Sequence, residues 1–223
     1  MKLESLAPGW KRIVCALLMS LIVQFPSLVH ACAPANIPGS QGAIARYIRM
    51  LMPSADYTVN LRKRVTWKKL PVRVFFVRDE RYSQSREQFA RRGFNRWVAA
   101  TEGVLSYEVT DDIFEADLTV RFDSMTNNGV TSTHFKMGSI SRADIMIGVQ
   151  QSVESDIEIV AAHEFGHAMG IDGHSNDKRD LMFPTHVAGT VTRITYRDLN
   201  TMASRYPALA KLIAGKYRPV GAR

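Results

Sequence analysis

Runs of β-branched and aromatic residues predict a set of strands in the middle of the chain. Four segments have this composition and are bounded by polar or turn-forming residues. They are residues 70–77, 105–109, 118–122 and 144–149. A loop rich in asparagine and glycine at 127–129 precedes a further candidate, a short strand at 131–135. These patterns together predict a sheet.

Apolar residues at helical spacing predict three helices, each opened by a pair of residues suited to a capping box. The first helix runs to about residue 100 and stops at Gly103, and the second runs through Met169. The third ends before Pro207, which cannot continue a helix. The predicted capping boxes are Ser85 with Gln88, Ser155 with Glu158, and Thr195 with Asp198.

The composition favours a packed domain without disulfides. Of the 223 residues, 46% are hydrophobic and 22% are charged, which is the balance of a globular protein. A chain of this length buries a sizeable core without covalent staples. Its two cysteines, Cys15 and Cys32, both lie near the N-terminus. Any metal site in the body of the chain must therefore use histidine, aspartate or glutamate.

The net charge of +8 favours a solvated basic surface over a nucleic-acid partner. The basic residues are scattered in short groups, and no DNA- or RNA-binding motif accompanies them. Those groups are residues 62–64, 68–69 and 91–92. A partner with an acidic surface, such as an anionic glycan or lipid headgroups, is the alternative interpretation.

The N-terminus has the pattern of an export signal. The basic pair 11–12 precedes an apolar run at 13–25, which is too short for a comfortable membrane span. Small residues follow, and cleavage after Ala31 or Ala33 fits the small-residue rule. Residues 1–31 are therefore predicted to be a signal peptide, and the mature protein is expected to be secreted or otherwise extracytoplasmic. An uncleaved anchor is the alternative.

Cys32 suggests a second route to the membrane. Residues 29–32 loosely resemble a bacterial lipobox, in which the cysteine is acylated after cleavage, although His30 is unusual at its position. Ordinary secretion is favoured, and membrane contact is expected only through the signal peptide or a lipid on Cys32. Residues 32–64 are mixed in composition and are interpreted as a linker or short propeptide.

The decisive motif is the stretch HEFGHAMGIDGH that begins at His163. His163 and His167 are four residues apart, so a helix presents both imidazoles on one face, where their nitrogens can converge on one ion. Glu164 points beside that ion, where a carboxylate can take a proton from a metal-activated water. Gly170 can adopt the left-handed conformation that turns the chain and returns His174 as a third ligand.

Three protein ligands with a fourth position left open are the pattern of a catalytic zinc site, whereas a structural site is closed by a fourth side chain. Unrelated surface or core histidines are a poor explanation, since the motif combines a capped helix, a glycine and a third histidine. The sequence therefore predicts one catalytic Zn²⁺ ion held by His163, His167 and His174, with Glu164 as the catalytic base.

On these residues the chain resembles the metzincin metallopeptidases, and among them the matrixins. The family pattern is HExxHxxGxxH followed by a turn with a methionine beneath the zinc, and residues 163–170 match its first eight positions. Gly173 occupies the usual place of the third histidine, and His174 comes one residue late, as in some bacterial matrixin-like proteins. Asp172 is the fallback ligand, because aspartate replaces the third histidine in some metzincin relatives.

The resemblance also implies a role for Met182 and a fold class. Met182 lies eight residues after His174, as in the matrixin Met-turn, and in the family this residue packs beneath the site. The implied fold is α+β, a twisted, mostly parallel sheet with an antiparallel edge strand, two long helices, the Met-turn and a C-terminal helix. The order of predicted elements fits this domain over residues 65–206, which leaves 207–223 as a tail.

The resemblance further indicates where a substrate would lie. Residues 138–149 are assigned to the stretch containing the edge strand that pairs with substrate, and residues 183–191 to a specificity pocket. His186 lies in that pocket wall and either shapes specificity or is merely exposed, and His134 is interpreted as a strand or loop residue. Animal matrixins carry a second, structural zinc and calcium ions, but ligand sets for these are not apparent in this sequence.

The sequence therefore predicts a secreted zinc-dependent metalloendopeptidase that hydrolyses peptide bonds in extended protein or peptide substrates. A zinc-activated water attacks the bond, and Glu164 serves as the general base. The competing interpretation is a non-catalytic exported protein that uses the same fold to bind a surface. The presence of Glu164 argues against it, because degenerate peptidases usually lose that residue. A DNA-binding role ranks third, since the export signal argues against it.

Overall fold

The computed structural model describes residues 56–63, 65–124, 128–150, 154–185 and 192–216. The predicted signal peptide, Cys32, most of the predicted linker and His186 lie outside these ranges. Within the described ranges, no helix is both long enough and apolar enough to cross a bilayer.

A five-stranded sheet forms the centre of the described structure. Its strands are β1 (Val72–Phe76), β2 (Tyr107–Val109), β3 (Leu118–Asp123), β4 (Gly129–Lys136) and β5 (Ser139–Gly148). The strand order is β2–β1–β3–β5–β4, and every neighbouring pair is parallel except β4 with β5. β4 and β5 form a hairpin through Met137 and Gly138, which both have positive φ. This confirms the predicted mostly parallel sheet with an antiparallel edge strand.

The edge strand is β4, so the assignment of residues 138–149 to the edge was wrong. β5, which occupies that segment, is hydrogen bonded to β3 on one side and to β4 on the other. Alternate residues of β4 are exposed, beginning with Val130, whereas β5 buries Ile145 and Ile147 between its neighbours. The error arose because β4 is rich in threonine and polar residues, so its sequence resembled a loop with only a short strand.

The described residues form four α-helices around the sheet, α1 (Gln84–Ala100), α2 (Glu154–Ala168), α3 (Tyr196–Ala203) and α4 (Pro207–Lys216). α1 and α2 approach closely at Gly93, where a side-chain carbon would lie 2.3 Å from the Glu158 carbonyl oxygen. Phe94 of α1 stacks on Phe165 of α2 and on Phe76 of β1, with ring centroids 4.4 and 6.2 Å apart. This aromatic cluster holds α2, which carries the metal motif, against α1 and the sheet.

Two of the three predicted capping boxes are wrong, and the third is confirmed. α1 begins after Ser83, whose side chain accepts a backbone hydrogen bond, so Ser85 lies inside the helix. α2 begins one residue before Ser155, which therefore also lies inside. In α3, Thr195 and Asp198 form the reciprocal box. Serine occurs both at N-caps and within the first turn, so a local pattern does not separate starts that differ by one or two residues.

Both ends of the described structure pack onto this core. Tyr57 is 1% exposed, and its hydroxyl donates a hydrogen bond to Asp198 at 2.6 Å. Leu209 in α4 is fully buried, although residues 207–223 were expected to form a tail. The domain limits 65–206 remain a prediction, and the structure adds buried residues on either side of them.

Candidate active site

Three histidines meet at the surface of α2. His163 and His167 lie one turn apart on the helix, and His174 lies on the loop that follows. The Nε2 atoms of His163 and His167 are 3.0 Å apart, and those of His167 and His174 are 3.2 Å apart. A tetrahedral zinc ion with bonds of about 2.0–2.1 Å holds its ligand nitrogens about 3.3 Å apart, so these distances fit such an ion. The structure thus brings the three predicted ligands together.

Hydrogen bonds to the outer ring nitrogens determine the tautomers of the two helical histidines. Nδ1 of His163 lies 2.8 Å from the carbonyl oxygen of Leu181, and Nδ1 of His167 lies 2.5 Å from that of Ile171. A carbonyl oxygen only accepts, so each Nδ1 carries the proton and each Nε2 presents a lone pair. Two lone pairs facing each other at 3.0 Å repel unless a cation lies between them. The donor set therefore fits a metal ion.

Burial favours neutral imidazoles at this site. It lowers the pKa of His167 to about 3, and the neighbouring His163 acts in the same direction. Burial also lowers the pKa of His174, with a further contribution from the Arg62 guanidinium. Neutral imidazole is the form that binds a metal, so the environment suits ligation.

A glycine-rich loop returns His174 to the helix. Gly170 has a φ of 116°, and a side-chain carbon there would lie 2.7 Å from the Val65 carbonyl oxygen. Gly173 is equally crowded, since a side-chain carbon would lie 2.3 Å from the Asn60 carbonyl oxygen. Asn60 also donates from Nδ2 to the His174 carbonyl oxygen at 2.9 Å. The segment before β1 thus accommodates the extra residue of this loop.

Asp172, the fallback ligand, lies outside the histidine cluster. Its Oδ1 accepts a hydrogen bond from the Arg62 backbone N–H at 3.1 Å and lies 4.0 Å from the Arg205 guanidinium. These contacts anchor the loop that carries His174. The structure therefore gives Asp172 an anchoring role and leaves His174 as the third member of the cluster.

Glu164 lies beside the histidines and is 4% exposed. Thr131 of β4 donates from Oγ1 to Glu164 Oε2 at 2.6 Å, which ties this side chain to the edge strand. Gly129 leaves the necessary room, because a side-chain carbon there would lie 2.3 Å from Glu164 Cγ. Burial raises the pKa of Glu164 to about 7, although the Thr131 hydrogen bond acts to lower it. A carboxyl group with this pKa can accept and return a proton near neutral pH.

Met182 packs beneath the metal motif, as the resemblance implied. It is fully buried, and a side-chain carbon at Gly166 of α2 would lie 2.5 Å from Met182 Sδ. Asp198 accepts hydrogen bonds from the backbone N–H groups of Leu181 and Met182, at 3.0 and 3.4 Å. The sequence indicated Asp198 only as a capping residue, and its second role is to hold this turn.

The three histidines and Glu164 line an open cleft of about 530 Å³. Its walls come from α2, from β4, from the segment before β1 and from the turn after Met182. Residues 183–191 were predicted to form a specificity pocket, and of these Phe183 and Pro184 line the cleft. His134 lies on β4 outside the lining and is 3.3 Å from Asp144, in agreement with its interpretation as a strand residue.

The arrangement has counterparts among known proteins. Residues 143–207, which contain α2, the Met182 turn and α3, match the family model of the matrixins. Over this segment the chain is similar to the matrixins, which are metzincin peptidases. Matrixins use a catalytic zinc ion, and the histidine cluster of this matrixin-like domain can hold one ion.

Similarity to individual relatives is confined to short regions. Matrix metalloproteinase-27 of Homo sapiens is 46% identical over 55 residues, which are 24% of this chain and 10% of that protein. Matrix metalloproteinase-27 of Tupaia belangeri is 63% identical over 53 residues, which are 23% of this chain and 10% of that protein. Metalloendoproteinase 1-MMP of Arabidopsis thaliana is 29% identical over 113 residues, which are 43% of this chain and 30% of that protein. The matrixin-like chain therefore spans less than a third of each of these relatives.

Three residues of the matrixin-like site were missed by reasoning from the sequence. They are Asn60, Gly129 and Thr131, which contact His174 or Glu164. Thr131 precedes Glu164 by 33 residues, and Asn60 precedes His174 by 114. No local spacing links residues so far apart, and the available signal was Gly129 in the loop predicted before the strand at 131–135, since a glycine beside a strand can mark the close approach of another group.

Proposed function

We propose that this chain is an exported zinc-dependent endopeptidase that cleaves extended segments of proteins or peptides. The observation that carries the proposal is the joint geometry of the site. Three imidazole groups converge beside a buried glutamate in a cleft that is open to solvent. The match to the matrixins supports the same activity. Export rests on the N-terminal sequence pattern.

Glu164 moves the proton in the proposed reaction. When held by His163, His167 and His174, zinc supplies a Lewis acid that polarises a peptide carbonyl and acidifies water. Thr131 holds Oε2 of Glu164, which leaves Oε1 to accept a proton from the attacking water and to return it to the leaving amine nitrogen. Burial of Glu164 raises the pKa of its carboxyl group, which favours the protonated form once the proton of the water has been accepted.

The outer edge of β4 supports an extended substrate. Within the described residues, β4 pairs only with β5, so its other edge has no strand partner. An extended peptide can add to such an edge through main-chain hydrogen bonds, with alternate side chains directed toward the cleft. Phe183 and Pro184 supply apolar surface for one of those side chains.

The decisive test replaces Glu164. Glu164→Ala in the full-length protein is expected to keep its zinc, because no ligand is removed, and to lose about 10² to 10⁴ in cleavage rate or more. Glu108→Ala is the matched control, since Glu108 is exposed on β2 at the opposite edge of the sheet. The measurements are zinc per protein by elemental analysis and cleavage of an unstructured fluorogenic peptide.

Each outcome of this test decides between interpretations. Full zinc with no cleavage in Glu164→Ala, and both properties kept in Glu108→Ala, supports the proposal. Cleavage near the wild-type rate in Glu164→Ala would mean that the base lies elsewhere. Wild-type protein that binds zinc but cleaves no peptide would favour the competing non-catalytic binding protein.

Export has its own test, which is independent of activity. N-terminal sequencing of the exported protein is expected to begin at Cys32, Ala33 or Pro34, or further along if a propeptide is removed. Recovery of intact Met1 from the exported fraction would contradict cleavage. Detection of an acyl group on Cys32 by mass spectrometry would change the proposal from secreted to lipid-anchored.

A further inference from the structure

One end of the cleft is cationic, and the proposed reaction does not use these charges. Arg62 and Lys63 line the cleft, both are exposed, and both belong to the basic group at 62–64. Lys63 Nζ lies 4.3 Å from the centroid of the Phe135 ring on β4. This cation–π contact places the ammonium group at the Phe135 end of the cleft.

The carboxylates of the cleft do not neutralise these cations. The acidic side chains in its lining are Glu164 and Asp172. Glu164 is buried and bonded to Thr131, and Asp172 binds the backbone N–H of Arg62 and lies 4.0 Å from Arg205. Across the described ranges, no ion pair joins the Arg62 or Lys63 side chain to a carboxylate. Their charges are therefore available to a ligand in the cleft.

The direction of β4 determines which side of the scissile bond lies at the cationic end of the cleft. Gly129, at the start of the strand, lies against Glu164, whereas Phe135 is near the end of the strand. Antiparallel strand pairs outnumber parallel ones roughly two- to threefold. A peptide antiparallel to β4 runs from the Phe135 end toward Glu164. Its residues on the N-terminal side of the scissile bond therefore pass Lys63.

The spacing along β4 identifies the position of the recognised side chain. Thr131, which bonds Glu164, and Phe135 are four residues apart in the sequence. At a rise of about 3.4 Å per residue, this separation is roughly 14 Å, or about four residues of an extended substrate. We infer that Lys63 forms a subsite for an aspartate or glutamate three or four residues before the scissile bond, and that Arg62 adds positive charge between Lys63 and His174. This inference rests on the proposed endopeptidase function and names the class of its substrates.

The test compares two fluorogenic peptides that differ only in carrying glutamate or glutamine at the third and fourth residues before the bond. At low ionic strength, kcat/KM of the full-length protein is expected to be roughly three- to tenfold higher for the glutamate peptide, as exposed charge pairs allow. The ratio should approach one at about 1 M salt, where the screening length is about 3 Å.

Variants assign the preference to particular residues. Arg62→Gln with Lys63→Gln is expected to bring the ratio of the two kcat/KM values to about one. Lys68→Gln with Lys69→Gln removes the same charge from exposed positions outside the cleft lining and is expected to keep the wild-type ratio. The affinities of labelled forms of both peptides for Glu164→Ala protein, measured by fluorescence anisotropy, provide a readout that needs no turnover.

These readouts separate the subsite from the enzymatic activity. Tighter binding of the glutamate peptide without cleavage of either peptide by the wild-type protein would overturn the endopeptidase and keep the subsite. Cleavage of both peptides at equal rates, with equal binding, would overturn the subsite and keep the endopeptidase. A preference that survives Arg62→Gln with Lys63→Gln would also overturn the subsite. If that variant does not fold, the salt dependence of the wild-type ratio decides, since a preference unchanged at high salt excludes an electrostatic origin.

Discussion

The helical half and the loop half of the metal site are built by different means. His163 and His167 take their relative positions from the helical period of α2, and the packing of that helix in the core fixes their direction. His174 lies on an irregular loop, is the most exposed of the three histidines, and is held through its carbonyl oxygen by Asn60. The spacing of the two helical ligands therefore comes from their own element, whereas the position of the loop ligand depends on contacts from distant parts of the chain.

This difference predicts where the site is most sensitive to substitution. The helical half is supported by many apolar contacts, so only loss of a ligand should affect it strongly. The loop half is supported by a few contacts, which include the turn at Gly170, the hydrogen bond from Asn60 and the contacts of Asp172, so changes that leave every ligand in place should weaken it. Five substitutions in four experiments test the comparison, in order of decreasing expected effect.

Loss of a ligand from either half of the site should strongly weaken zinc binding. His167→Ala and His174→Ala are each expected to weaken zinc binding about a hundredfold or more, because loss of an outer-shell partner alone costs about 10- to 100-fold. Isothermal titration with zinc measures this, and circular dichroism checks that α2 persists. If His174→Ala kept the wild-type zinc affinity, His174 would not be a ligand, and the comparison between a helical half and a loop half would fail.

The joint between the two halves should be sensitive to a single added methyl group. Gly170→Ala combines an unfavourable φ with a contact at 2.7 Å to the Val65 carbonyl oxygen, so a loss of about 2–4 kcal/mol in unfolding free energy is expected. Gly103→Ala is the matched control, since Gly103 has a φ of 80° with no atom within 4 Å of the added carbon. It should cost only about 1 kcal/mol. Urea unfolding measures both, and equal losses would show that the contact with Val65 is unimportant.

Removal of the loop's distant partner should have a smaller effect on metal binding. Asn60→Ala deletes the hydrogen bond to the His174 carbonyl oxygen, and a typical net contribution of about 1 kcal/mol corresponds to roughly fivefold weaker zinc binding. Asn95→Ala is the control, because exposed Asn95 bonds Tyr107 away from the cleft. Unchanged zinc affinity in Asn60→Ala would mean that the loop keeps its shape without this contact.

The smallest expected effect on zinc is that of Asp172→Ala. Asp172 lies outside the cluster and anchors the loop through Arg62 and Arg205, so all three ligands stay in place when it is removed. Zinc affinity should fall by a factor of about two to three, at the low end of the effect of losing one hydrogen bond. Competition with a chromogenic chelator resolves a change of this size. A loss as large as that of His174→Ala would restore Asp172 as a ligand and contradict the present assignment.

Local pattern predicted the parts of the site that lie within one element. The four-residue spacing of His163 and His167, the turn at Gly170 and the capping box of α3 are all properties of contiguous sequence, and the structure contains each of them. The strand identities followed from composition, except that β4 was expected to be short. Its alternation of threonine with polar residues does not distinguish an edge strand from a loop.

The sequence by itself determined which residues carry the chemistry and on what local structure they lie. Helical periodicity, glycine conformation and β-branched composition act over a few residues and can be read along the chain. Only the tertiary structure decided that β4 is the edge of the sheet, that Thr131 and Gly129 enclose Glu164, and that Asn60 holds the His174 loop. These contacts join residues 33 to 114 positions apart, and they form because packing the core brings separate elements together, which no local pattern specifies.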